Sequence, residues 1–359
     1  MTQLENRTPG STQETTQKST QKSTEPPPAT EQFPQVADQY RRELTAHCYR
    51  MTGSVYDAED MVQETYLRAW RAYDDFEGRS SVRTWLYRIA TNVCLTNLEN
   101  KGRRPMPTGL GMPGAQARDE LVEASEVPWL EPVPDVMVDV ANVDPAQVVG
   151  NRDSIRLAFV AALQHLPPKQ RAVLVLRDVL RWSAKETATA LDTTVAAVNS
   201  ALQRAHAQLA EKQLTEGTVE DDLTPDLEAM LDRYVQAFWA KDINSLVTML
   251  AHDAVWEMPP FTGWYTGVEN IATLIDTQCP GGVHDMPMIR TQANGQPAFG
   301  LYMRQPEGHF EPFHLQVLQV VEGKVVHVGA FFDTRLFETF GLPASLPASY
   351  AMSSASTSE

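Results

Sequence analysis

Two neighbouring segments carry charged and aromatic residues of the types that bind other macromolecules. In YDAEDMVQETYLRAW, residues 56–70, four carboxylates precede Arg68 and Trp70. Residues 79–104 then hold six basic residues and one acid, with Trp85 and Tyr87 among them. Arginines interleaved with rings suit single-stranded DNA, because rings stack on bases while guanidinium groups hold phosphates. The first segment therefore predicts a protein partner and the second predicts contact with nucleic acid.

The acidic segment has a structural explanation for only part of its charge. Asp57 and Asp60 lie near the start of the predicted helix, where carboxylates cap the chain and favour the helix dipole. Glu64 lies too far along for that role. Spacings of three and four residues place Asp60, Gln63, Glu64 and Leu67 on one side of the helix. That side predicts an interaction surface, and a merely solvated face is the alternative.

Apolar spacing and composition divide the chain of 359 residues into domains and linkers, which position the acidic and the basic segments. Helical periodicity indicates two all-α domains, and later strand-like runs indicate an α+β domain. Seven prolines and eight acids mark the segment between the helical domains as a linker without a core of its own. The predicted segments are a disordered tail (1–32), a helical domain (33–104), the acidic linker (105–148), a helix-turn-helix domain (149–213), the α+β domain (225–340) and a tail (341–359).

Bulk composition restricts the classes of protein. The net charge is −16, yet residues 151–213 carry a net charge of +4, so basic charge is local and suits local contact with DNA. Without a run of eighteen apolar residues or an apolar segment near the start, the sequence predicts a cytoplasmic protein. Cys48, Cys94 and Cys279 lie far apart, so we expect no disulfide framework, metal site or cofactor.

Over about seventy residues, DAEDMVQETYLRAW and the following FEGRSSVRTWLYRIATNVCL resemble region 2 of the extracytoplasmic-function (ECF) sigma factors of bacterial RNA polymerase. The resemblance implies that the acidic helix docks on the clamp coiled coil of the polymerase β′ subunit. The implied polymerase contacts are Asp57, Asp60, Gln63 and Glu64. The implied contacts to the minus-ten element are Phe76, Arg79, Ser80, Arg83, Arg88 and Asn92. Core packing is the favoured role for Trp85 itself.

The second basic segment, residues 166–211, reads as a helix, a break, the short helix SAKETATAL, the turn DTT and a long helix. It resembles sigma region 4, which binds the minus-thirty-five element and the flap of the polymerase β subunit. The implied DNA-facing residues are Thr194, Ala196, Ala197, Asn199, Ser200, Gln203 and Arg204. Asn199, Ala201 and His206 replace residues that are often basic in the family, which implies weaker intrinsic DNA affinity. In the family, the linker between regions 2 and 4 runs through the RNA exit path of polymerase. The resemblance implies the same path for the acidic linker of this chain, and a linker that is simply solvated is the alternative.

The last third, from residue 231 through the strands to 332, resembles the SnoaL-like (NTF2-like) cone, a curved sheet around a pocket. The candidate pocket residues are Trp256, Met258, Trp264, Tyr265, His314 and Asp333. SnoaL-type cyclases use an acid for proton transfer, and His314 with Asp333 would serve that chemistry. Ligand sensing and plain docking are the alternatives, and docking is favoured over catalysis.

These resemblances predict a sigma factor and not an enzyme. It would recruit core polymerase to promoters, recognise the minus-ten element with region 2 and the minus-thirty-five element with region 4, and be regulated in cis by its C-terminal domain. A polymerase-independent helix-turn-helix regulator and a SnoaL-like enzyme fused to a DNA-binding module are the alternatives. The expected partners are core RNA polymerase and promoter DNA; a small-molecule ligand and an anti-sigma protein stay open.

Overall fold

The computed structural model describes residues 29–99, 101–138, 153–210 and 224–350. Most of the two predicted tails and the end of the predicted linker lie outside these ranges. The predicted N-terminal tail was too long by four residues, because helix α1 begins at Ala29. Phe33 anchors this helix, since it is buried and its ring meets Tyr66 and Tyr73 at centroid distances of 6.3 and 5.1 Å.

The first helical domain is built around three mutually packed helices, and serine caps set the starts of two of them. Ser54 accepts a hydrogen bond from Asp57 N, and Ser81 accepts one from Thr84 N, so each helix begins where a side chain satisfies a free backbone N–H. Leu86 is fully buried in the core of this domain. The helices are α1 (Ala29–Asp38), α2 (Arg41–Thr52), α3 (Val55–Arg71) and α4 (Val82–Leu98).

The second helical domain contains the predicted helix-turn-helix. A capping box between Ser183 and Glu186 starts its first helix. Its other helices pack so that the one beginning at Pro168 contacts both α4 of the first domain and the long last helix. The helices are α6 (Leu157–Leu163), α7 (Pro168–Leu174, continued by a π turn at Val175–Val179), α8 (Ala184–Ala190) and α9 (Val195–Ala210), and the one-turn helix α5 (Asp135–Val138) precedes them in the linker.

The last domain is built on a six-stranded sheet. The strand order is β2-β1-β6-β5-β4-β3, and only the β1–β6 pair is parallel. The predicted order of two all-α domains followed by an α+β domain is therefore confirmed. The elements are α10 (Pro225–Ala240), α11 (Ile243–Met249), β1 (Leu250–Glu257), β2 (Trp264–Thr266), α12 (Val268–Gln278), β3 (Met288–Ala293), β4 (Gln296–Arg304), β5 (Phe310–Val321), β6 (Lys324–Phe331) and α13 (Leu336–Thr339).

The two faces of this sheet bury different parts of the chain, because alternate residues of a strand point to opposite faces. Phe299 and Leu318 belong to a core shared with α10 and α12. Their neighbours Ala298 and Val317 belong to a second core shared with both helical domains. One face of the sheet therefore packs against both helical domains.

Residues 105–138 of the linker run along the contact between the sheet and the two helical domains, which is called the junction below. Leu130 and Val133 are fully buried in the core shared with the helical domains. Main-chain bridges join Glu123 to Phe261 and Pro134 to Ala293. The linker thus has no core of its own, and its buried residues pack into the cores of the neighbouring domains. In the described residues, every helix is too short or too polar to cross a membrane.

Candidate functional site

The acidic face of α3 lies open to solvent. Asp60 and Gln63 are exposed, and Glu64 forms an ion pair with Arg68 at 2.6 Å. Two large apolar side chains extend the same surface, since Leu67 is 50% and Trp70 is 48% exposed. Exposed acids beside unburied apolar side chains form a surface suited to a basic and partly apolar partner.

Asp57 differs from these acids, because the rest of the chain buries it. Its carboxylate accepts hydrogen bonds from Lys101 Nζ at 2.9 Å and from Arg104 Nη2 at 2.7 Å. Burial alone would raise the pKa of Asp57, but these hydrogen bonds outweigh it and lower the pKa. Arg104 also pairs with Glu131 of the linker at 3.3 Å. The implied role of Asp57 as a polymerase contact does not fit this position, where it ties the linker to α3.

Replacing Asp57 with asparagine should lower the free energy of unfolding at pH 7 by roughly 2 kcal/mol, because two charge-assisted hydrogen bonds are weakened. A lowered folded-state pKa stabilises the fold above the unfolded-state pKa of about 3.9 and ceases to do so as pH falls through the folded value. The difference between wild type and Asp57→Asn in urea unfolding should stay constant from about pH 7 to 5 and shrink below about pH 4. Asp232→Asn, at an exposed position, is the control, and a pH-independent difference would contradict the assignment.

The segment implied to read the minus-ten element is partly exposed and partly used internally. The ring centroids of Phe76 and Trp85 lie 4.9 Å apart. Trp85 packs at the edge of the core, which is the role that the sequence analysis favoured for it. Arg83 forms an ion pair with Glu43 at 2.7 Å and lies over the Tyr87 ring. The remaining implied contacts are exposed, and they are Arg79 (paired with Glu77), Ser80, Arg88 and Asn92. Arg83 therefore supports α4 from within, whereas the others face solvent.

The long helix α9 presents one continuous exposed face. Its opposite face buries Val198, Ala201 and Ala205 against the domain core. The seven residues implied to face DNA are all exposed, namely Thr194, Ala196, Ala197, Asn199, Ser200, Gln203 and Arg204. Thr194 also caps the helix, since its Oγ1 accepts from Ala197 N at 3.1 Å. This helix has the exposed, small-residue surface that fits a DNA major groove.

A single buried side chain joins all parts of the molecule. Asn294 occupies the β3–β4 turn with a φ of 58° and is fully buried. Its Nδ2 donates to Tyr49 Oη of the first domain at 2.8 Å and to the Ile155 carbonyl of the second at 2.6 Å. Its Oδ1 accepts from Val133 N of the linker at 3.0 Å. The dipeptide Asn294-Gly295 signals a hairpin turn in the sequence, but its burial depends on contacts distant in the chain.

A second contact joins the C-terminal domain to the first helical domain. The Arg335 guanidinium lies 5.0 Å from the Tyr56 ring centroid and pairs with Asp333 at 2.6 Å. Thr339 Oγ1 lies 3.5 Å from Tyr56 Oη. Asp333 thus positions an interface arginine, and it does not lie with His314 in the cavity as the sequence suggested. The acid and base expected for SnoaL-type catalysis are not brought together.

The sheet, its helices and the linker line a partly open cavity of about 260 Å³. Its wall is largely apolar and includes the aromatic side chains of Phe238, Trp256, Phe261, Phe313 and Phe332. Of the six candidate pocket residues, Trp256, Met258 and His314 line it.

The other three candidates lie elsewhere. Trp264 Nε1 donates to the Met112 carbonyl of the linker at 3.0 Å, and Tyr265 is buried in the domain core. Asp333 lies at the interface with α3, beside Arg335. The linker residue Leu121 completes part of the cavity wall, a contribution that the sequence gave no reason to expect.

Comparisons with known proteins agree with both helical domains. The family Sigma-70 region 2 matches residues 36–104, and Sigma-70, region 4 matches residues 156–209. The ECF RNA polymerase sigma factor SigG of Mycobacterium tuberculosis (strain H37Rv) is 57% identical over 319 residues, covering 88% of this chain and 85% of that protein. ECF sigma factor SigJ of the same strain is 30% identical over 218 residues, covering 60% and 61%. The crystal structure of M. tuberculosis SigJ covers 86% of this chain and 99% of its own with a TM-score of 0.56 at 21% identity, a likeness of fold.

Proposed function

Because this chain belongs to the extracytoplasmic-function sigma factors of bacterial RNA polymerase, which are initiation factors without enzymatic activity, we propose specific surfaces for its two partners. The exposed Asp60 and Gln63 and the half-buried Glu64 bind core polymerase, and Leu67 and Trp70 extend that contact. A carboxylate face attracts a basic surface and speeds its encounter with the right partner. The protein acts in the cytoplasm, where polymerase and the genome are.

The DNA contacts belong to α4, to the loop that precedes it, and to α9. Phe76, Arg79, Ser80, Arg88 and Asn92 bind the opened minus-ten element, where ring stacking and phosphate contact combine. The exposed face of α9 binds the minus-thirty-five element, with Asn199 and Gln203 at base edges and Arg204 at a base or phosphate. Few basic residues on that face imply that tethering through polymerase supplies much of the effective affinity.

The observation that carries our proposal for regulation is that the two DNA-binding domains share one core. Helix α7 packs against both α4 and α9, and neighbouring helix axes lie about 8–10 Å apart, so α4 and α9 are on the order of 20 Å apart. The two promoter elements are named for positions about 25 base pairs apart, which is about 85 Å of B-DNA. This conformation cannot reach both elements at once.

We infer that this closed form is inactive and that the C-terminal domain holds it closed. The sheet supplies Ala298, Leu315 and Val317 to the shared core, and Asn294 links both helical domains and the linker. Opening must break these contacts before the domains separate. The C-terminal domain is thereby an inhibitor in cis, which a signal or polymerase itself displaces.

The minus-thirty-five assignment is tested by Asn199→Ala combined with Arg204→Ala. We expect a loss of at least about 30-fold in run-off transcription with purified core polymerase, because a base contact and a charged contact are each worth about 1–3 kcal/mol and together at least about 2 kcal/mol. Both side chains are exposed, so the fold should be unaffected.

The matched control removes the same kinds of side chain from other exposed positions, with Gln208→Ala at the far end of α9 and Arg233→Ala on α10. It should transcribe like wild type. If both double variants lost transcription equally, or if neither lost any, the proposal that this face of α9 binds the minus-thirty-five element would be contradicted.

A further inference from the structure

One exposed apolar side chain of the helical domains has no role in the surfaces described so far. Within the described parts of these two domains, the exposed large apolar side chains are those of Leu67, Trp70 and Val195. Leu67 and Trp70 extend the acidic face of α3. Val195 is 43% exposed and is the first residue of α9. The closed form therefore leaves it open to solvent at the end of the helix that is proposed to enter the major groove.

Val195 and Asn199 form a neighbouring pair on the exposed side of α9. Four residues make just over one helical turn, so the two side chains share a side about 6 Å apart along the axis. Both are exposed, whereas Val198 is fully buried in the domain core. Thr194 caps the helix through Ala197 N, so the first turn is fixed. A valine side chain has one dominant rotamer in a helix, and its methyl groups are therefore held in place.

The chemistry of this end of α9 favours A·T over G·C base pairs. Residues 195–202, the first two turns, contain no charged residue, and the first arginine of the helix is Arg204. In the major groove, arginine and lysine bind guanine, asparagine binds adenine, and apolar side chains contact the 5-methyl group of thymine. Base pairs are stacked about 3.4 Å apart, so 6 Å along the helix spans about two of them. Val195 thus reaches a base pair close to the one at Asn199.

We propose that Val195 contacts the 5-methyl group of a thymine in the minus-thirty-five element, within about two base pairs of an adenine bound by Asn199. This inference rests on the proposed role of α9 and adds the kind of base pair that its first turns read. The contact removes one methyl group from water, and a buried carbon of this size changes affinity about fourfold.

Replacing thymine with uracil tests this contact, because it removes only the methyl group and leaves every base-pairing atom in place. The template is the genomic fragment that wild-type holoenzyme transcribes most strongly, and each thymine on either strand of its minus-thirty-five element is replaced in turn. With holoenzyme below saturation, we expect one position at which uracil lowers wild-type transcription about fourfold. Val195→Ala should transcribe the thymine template about fourfold less than wild type and should respond no further to uracil.

Another exposed valine provides the matched control. Val283→Ala removes the same two methyl groups from a residue of the C-terminal domain that is 61% exposed, and it should respond to uracil as wild type does. Alanine is the stronger helix former, so Val195→Ala should fold normally. A response to uracil that is the same in wild type and Val195→Ala, a wild type without any response, or an element of G·C pairs alone would overturn the inference.

A failure of the proposed role of α9 would give a different result. In that case the double variant Asn199→Ala with Arg204→Ala would transcribe like wild type. If the double variant lost transcription while Val195→Ala kept the wild-type response to uracil, only the thymine contact would be overturned.

Discussion

Asn294→Gly is expected to raise promoter-dependent transcription at least about tenfold over wild type. The substitution removes the three side-chain hydrogen bonds to Tyr49, Ile155 and Val133 and leaves buried partners unpaired. That loss is worth roughly 3 kcal/mol, or about a 100-fold shift of the closed-to-open ratio. Glycine adopts the turn's positive φ without strain, so the C-terminal domain itself should remain folded.

A second hairpin of the same domain provides the control. Glu322 and Gly323 form the β5–β6 turn, with φ values of 50° and 70°, and Glu322 is exposed. Glu322→Gly therefore makes the same backbone change without touching the junction and should behave like wild type. The radius of gyration of each protein, measured by small-angle scattering, reports opening independently of transcription.

These two readouts separate the ways in which the inference could fail. An increased radius of gyration without increased transcription would mean that the closed form is not the inhibited one. If neither quantity changed in Asn294→Gly, Asn294 would not hold the domains together. An increase in both quantities for Glu322→Gly as well would indicate a general effect on the sheet.

Asp60→Lys combined with Glu64→Lys should reduce transcription by about 100-fold or more without changing the fold. Both carboxylates lie on the exposed face of α3, and like-charge contact across an interface costs several kcal/mol. The double substitution is best measured in the Asn294→Gly background, where closure of the domains does not limit the rate. The direct readout is binding to core polymerase, measured beside run-off transcription.

The control for this experiment repeats the change of charge at a distance. Asp232→Lys with Asp276→Lys alters two exposed helical positions of the C-terminal domain and gives the same net charge as the α3 variant. It should bind polymerase normally. A similar loss in both proteins would attribute the effect to total charge, and retained binding by the α3 variant would place the polymerase contact elsewhere.

Sequence reasoning succeeded where the relevant spacing is local. The exposed row of α9 and the open face of α3 follow from helical periodicity, since three- and four-residue spacings decide which side chains share a side. The Asn294-Gly295 turn is also a local signal. The order of the three domains follows from the same patterns.

The tertiary structure decided which of those local features face solvent and which are used internally. Asp57 has the same charge as Asp60, three residues away, but Lys101 and Arg104 enclose only Asp57. Asn294 is an ordinary turn residue until three distant backbone and side-chain groups meet it, and Asp333 pairs with Arg335 although its sequence position suggested the cavity. By itself, the sequence determined the helices, the strands and their exposed faces. Only the folded chain determined the junction and the cavity, because both bring together residues that lie far apart in the sequence.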